Sequence, residues 1–71
     1  MKWIKNEEAD VYYCKTPIGL FELVGDSVDY NVYLDGDPIS RNKALIRATE
    51  EARIHLLKTY YSLKIYLEIN E

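Results

Sequence analysis

From Asn42 to its end this chain contains neither glycine nor proline; both residue types are confined to positions 17–38. Glycine and proline are the strongest interrupters of regular backbone structure, so the front half is broken into short pieces and the back half can run as one element. The stretch "NKALIRATEEARIHLLKTYY" is rich in strong helix formers. Within it Leu45, Ala48, Ala52, Leu56, Thr59 and Leu63 recur at helical spacing and form one stripe. Ser40 is the expected N-cap, because its hydroxyl can accept a bond from a first-turn amide.

The closing stretch "LKTYYSLKIYLEIN" supports two periods. Leu63, Ile65, Leu67 and Ile69 alternate with polar residues and Tyr66, as in a strand, while Leu56, Tyr60, Leu63 and Leu67 fall on one line of a helix. A strand over 63–69 would need a turn after Tyr61, and no Gly, Pro, Asn or Asp stands there. The missing turn selects a helix over about 42–67.

The front half reads as a meander. "MKWIK" begins a short strand anchored by Trp3, and "NEEAD" is a polar connection. "VYYCKT" is β-branched and aromatic, "TPIG" turns the chain with Gly19 available for a positive φ, and "LFELV" is the next strand. After "GDS", the segment "VDYNVYL" alternates Val28, Tyr30, Val32 and Leu34, which face inward beside Phe21 and Leu23. "DGDP" ends the sheet near residue 35, since Pro38 cannot donate to a ladder. The expected fold is α+β: a three- or four-stranded antiparallel β-meander (about 1–35) packed against one long C-terminal α-helix (about 42–67), in a single domain over residues 1–71.

At 71 residues the core is small, and the lone Cys14 rules out an internal disulfide. One Cys and one His do not make a zinc site, and "YLDGDP" lacks the remaining ligands of a calcium loop, so neither metal nor cofactor is expected. There is no P-loop, dinucleotide fingerprint or catalytic triad. Cys14 reads as core, and His55 with Glu51 one turn earlier reads as an exposed helix pair. An enzyme is not expected. No apolar run spans a bilayer, and the N-terminus lacks an apolar signal region, so the expected setting is cytoplasmic, away from membranes.

Two surfaces remain as candidates for protein contact. A helix over 42–67 would be about 39 Å long, against about 23 Å for a seven-residue strand, so it overhangs its sheet. Ile46, Ile54, Leu57, Tyr61 and Ile65 lie on its flank and back, away from the core stripe. A helix apolar on two sides is normally buried on two sides, which points to self-association, with a dimer as the first expectation. The second surface is the outer sheet face, where Tyr13, Glu22 and Tyr33, with Asp35 and Asp37 nearby, suit contact with a basic protein surface. Eight acids against three lysines in residues 1–40 disfavour general nucleic-acid affinity. The alternative is a nucleic-acid or nucleotide binder using Arg41, Lys43 and Arg47, where a helix start favours anions. That arrangement is similar to the C-terminal part of a double-stranded-RNA-binding domain, without its leading helix or lysine-rich signature.

The early Trp3, then "YYCKTPIGLFEL", "YNVYLDGDPI" and a helix carrying "ATEEARIHLLKTYY", resemble small accessory proteins of phages and prophages. Those proteins have a Trp near the start, a T-x-x-G-x-Y/F hairpin, a Y-x-V-x-L/V-x-G strand and a C-terminal helix with spaced alanines. The resemblance covers roughly residues 3–63. It implies no catalytic chemistry, but a bacterial host cell and action by binding and blocking a host protein, including defence systems such as CRISPR complexes.

Overall fold

The computed structural model describes residues 1–70. Five strands form one antiparallel sheet in sequence order: β1 (Ile4–Lys5), β2 (Val11–Thr16), β3 (Gly19–Gly25), β4 (Tyr30–Leu34) and β5 (Asp37–Asn42). One helix, α1 (Leu45–Asn70), follows and packs across β3, β4 and β5. The fold is therefore an α+β meander with a C-terminal helix.

The turns explain the strand order. Thr16 pairs with Gly19 around Pro17 and Ile18, and the Ile18 amide donates to the Thr16 hydroxyl at 3.3 Å. Gly19 has φ 139°, a region that L side chains rarely adopt. Between β3 and β4 the Asp26 carboxylate accepts the amides of Val28 at 2.8 Å and Asp29 at 2.7 Å. Val28 consequently lies in this loop, 68% exposed, and not on the inner face where the alternation placed it. The loop takes that residue because an Asx turn satisfies its amide better than a further rung of ladder.

β5 is a strand the sequence reading left out. Asp35 (φ 49°) and Gly36 (φ 86°) form a two-residue hairpin loop closed by Leu34 and Asp37. Positive φ at both central positions matches the right-handed twist of the flanking strands. Pro38 is accommodated because β5 is an edge strand, and a bulge follows between its pairing with Tyr33 and the pairing of Ser40 with Val32. Ser40 is thus a strand residue and not the helix cap. The first helical bond runs from the Ala48 amide to the Ala44 carbonyl at 3.1 Å, so a residue without a capping side chain holds that position. The sheet extends to Asn42, and the helix runs later than expected, from Leu45 to Asn70.

The core lies between the helix and one face of the sheet. Cys14, Phe21, Leu23 and Val32 meet Ala48 and Ala52, surrounded by half-buried Trp3, Tyr12, Ile18, Tyr30, Leu34, Ile39, Leu45 and Leu56. Two alanines one turn apart let the helix backbone approach the sheet closely. His55 is not the exposed partner of Glu51: it is half-buried, with its ring edge-on to Phe21 at 6.2 Å between centroids.

Candidate functional site

The sheet register builds one row across the face that the helix leaves open. Cα pairing sets Ile4 beside Tyr13, Tyr13 beside Glu22, Glu22 beside Tyr33, and Tyr33 beside Pro38. Directly paired residues share a face, and Cys14, Phe21 and Leu34 in the next row are on the core side. Tyr13, Glu22 and Tyr33 therefore stand side by side on the opposite, solvent-facing surface, with Val11, Val24 and Leu20 in adjacent rows. All six are half-buried, since neighbours on a sheet cover one another's flanks.

The two aspartates expected beside them have different positions. Asp35 is a turn residue whose carboxylate accepts the Leu20 amide at 2.8 Å and lies against Gly19. It closes the junction of two hairpins. Asp37 starts β5 and is exposed.

Lys43 and Arg47 flank the start of α1, whereas Arg41 lies in the last strand. Arg41 belongs to β5, where its Nε lies 2.9 Å from the carboxylate of Asp29, which is almost fully buried. Arg47, in the first turn of α1, lies 3.7 Å from Glu50 and 3.8 Å from Glu51. Two of the three cations thus already face carboxylates. Asp26 and Asn31 join the Arg41–Asp29 cluster, with the Asn31 amide 3.3 Å from Asp26. The backbone amide of Asp29, then that of Val28, hold the Asp26 carboxyl below its ordinary pKa, with smaller help from Asn31 and Arg41.

The largest apolar surface is on the helix. Ile46, Ile54, Leu57, Tyr61 and Ile65 are all exposed. At about 100° per residue they fall within an arc of about 100° on one flank of α1. The sequence predicts assembly through this flank and an overhang beyond the sheet, and the overhang exposes a second apolar surface. Tyr60, Leu63 and Leu67 continue the same stripe that packs on the sheet through Ala48, Ala52 and Leu56, but they are exposed. The molecule measures 47 × 20 × 18 Å, and the long axis reflects this overhang. Where the helix leaves the sheet, Leu56, Leu57, Tyr60 and Leu63 form an apolar groove with Pro17 and Ile18 of the β2–β3 turn, about 360 Å³ in volume. The signal for the overhang was the mismatch between helix and strand lengths.

A smaller cleft of about 270 Å³ lies between the N-terminus and the helix, lined by Met1, Trp3, Thr49, Glu50 and Arg53. Among the described residues, no group of three or more His, Cys, Asp or Glu is placed to hold a metal ion. No helix among them is long and apolar enough to cross a membrane.

No protein-family model matches this chain, and neither does a curated protein or a solved structure.

Proposed function

We propose that this chain is a non-enzymatic binding protein that assembles through its helix and engages another protein through the open sheet face. The observation that carries the second half is the row Tyr13–Glu22–Tyr33, set side by side by strand register. Tyrosine offers rigid contact area with a hydroxyl at its tip, and few side-chain rotations are lost when it is fixed. Glu22 at the centre of the row is an anionic point that suits a cation on the partner, with Lys15 and Arg41 as cations in the adjacent rows of the same face. In the phage setting that the sequence resemblance implies, the partner would be a host protein and binding would block its surface.

The test is quantitative capture from a host extract by the wild-type chain and by the double variant Tyr13→Ala/Tyr33→Ala, with circular dichroism confirming that both are folded. A protein retained by the wild type, released by rising salt and lost from the double variant supports the reading. Equal retention by both chains overturns it.

A further inference from the structure

The overhang raises a specific question: what covers a core stripe once it has left its own sheet? Leu57, Tyr60, Leu63 and Leu67 are 42%, 56%, 53% and 56% exposed. A stripe of this kind inside a domain has a sheet or helix beneath it. Beneath this one, from Leu57 onward, is the groove beside Pro17 and Ile18 and then open space.

We infer that the occupant is the helix tail of a second copy, paired antiparallel about a two-fold axis between Tyr60 and Leu63. The inference rests on the reading that the helix mediates assembly, and it names the residues and geometry. Three features favour a second copy over another protein. The first is length. Beyond Leu63, the last helix residue lining the groove, Lys64–Asn70 extends about 10 Å at about 1.5 Å per residue, so an antiparallel tail of the same length can lie along the groove of the other copy. With the axis placed there, Tyr60–Leu67 of each copy lies level with Leu56–Leu63 of the other, the stretch of helix that lines the groove beside its β2–β3 turn.

The second feature is self-complementarity. Leu56, Tyr60, Leu63 and Leu67 are spaced four, three and four residues apart, the alternation that keeps a seam facing a partner helix. The two-fold axis sets Leu56 level with Leu67 of the second copy, and Tyr60 level with its Leu63. Each contact occurs twice, as a closed isologous interface requires. Between Leu56 and Leu67 no charged residue occupies the seam. Lys64, beside it, comes level with Thr59 of the second copy and not with another cation.

The third feature is area. A large side chain presents about 200 Å² in full, so four that are half exposed offer about 400 Å². Pro17, Ile18 and Leu56 raise this to roughly 500 Å² per copy and roughly 1,000 Å² in all, the lower bound for a specific interface. The pair is therefore closed and specific, and it dissociates on dilution. Of the flank, Leu57 borders the groove and is covered in the pair, whereas Ile54, Tyr61 and Ile65 lie more than about 100° around the helix from the centre of the seam and stay open.

The experiment measures mass by light scattering after size exclusion, over a dilution series, for the wild type, Leu63→Glu/Leu67→Glu and Ile54→Glu/Ile65→Glu. The wild type should be a dimer that dissociates as it is diluted. The seam variant should weaken dimerisation by at least about 100-fold, because it sets carboxylates in an apolar contact. The flank variant should remain dimeric, and both variants should keep their helical dichroism. A wild type that is monomeric throughout overturns the pair and the assembly reading together. A dimer that survives the seam variant but not the flank variant overturns the pair while leaving assembly in place. A second measurement does not depend on how the glutamates are tolerated. In a Cys14→Ser background, Tyr60→Cys and Leu63→Cys chains are mixed and oxidised. The mixed disulfide should dominate; preferential cross-linking of each variant to itself overturns the antiparallel geometry.

Discussion

Ala52→Leu is the sharpest probe of how the helix meets the sheet. Ala48 and Ala52 are both 0% exposed and share the core cluster with Phe21, Leu23 and Val32, which are also 0% exposed. The substitution adds three carbons at a position that is already fully covered. Leucine and alanine differ little in helix propensity, so packing decides the outcome. Overpacking a filled core costs about 1–3 kcal/mol. At about 0.05–0.15 kcal/mol per residue, a chain of this length holds about 4–10 kcal/mol in total. In a domain of this size each kcal/mol moves Tm by about 4–8 °C, so a fall of roughly 5–20 °C is expected. The assay is thermal unfolding followed by circular dichroism at one fixed protein concentration, since self-association would otherwise shift the midpoint. Lys58→Leu, an equally large apolar residue at an exposed position, serves as the control and should change Tm little. An Ala52→Leu midpoint at or above that of the wild type would refute the close approach of helix and sheet.

Gly19→Ala should destabilise the fold by about 1–3 kcal/mol in urea unfolding, because the backbone there has φ 139° and a Cβ would meet the Asp35 carboxylate. An unchanged midpoint would mean that the β2–β3 turn has relaxed to another conformation. Asp26 predicts a pH dependence whose sign follows from its depressed pKa. Its contribution is fully present above the unfolded value near 3.9 and is lost as pH falls through the lower folded value. Urea midpoints at pH 5 and pH 3 should therefore separate more for the wild type than for Asp26→Asn, and equal separations would remove Asp26 as an acid-sensitive support.

The helix and the inner face of the sheet were largely legible in the sequence, because periodicity reports burial directly. The absence of a turn residue after Tyr61 decided correctly between helix and strand for the tail. Phe21, Leu23 and Val32 alternate as core residues should, and they are the largest fully buried side chains. The errors came from local chemistry that competes with pattern. Pro38 was read as the end of the sheet, although the preceding Asp35–Gly36 pair is a strong hairpin signal and an edge strand tolerates proline. Val28 fits the strand alternation, but the Asp26 carboxylate captures its amide and holds it in the loop. Ser40 has capping chemistry but lies in β5. The row Tyr13–Glu22–Tyr33 was visible by parity, whereas the pairing of Arg41 with Asp29 was not, because it joins β5 to the β3–β4 loop. That the stripe outruns the sheet was legible in the mismatch of helix and strand lengths, whereas the groove that Leu56, Leu57, Tyr60 and Leu63 form with Pro17 and Ile18 needed the position of the β2–β3 turn.

The central claim is that the apolar stripe beyond the sheet is covered by protein. Backbone hydrogen exchange of the amides of residues 60–69, measured at high and low protein concentration, tests it most directly. A short helical overhang in water is marginal without tertiary packing, so unaided it should fray and exchange quickly. The account predicts slow exchange at high concentration and a loss of protection over these residues on dilution, while the amides of β3 and β4 stay protected. Fast exchange of 60–69 at every concentration, with the sheet still protected, would contradict it.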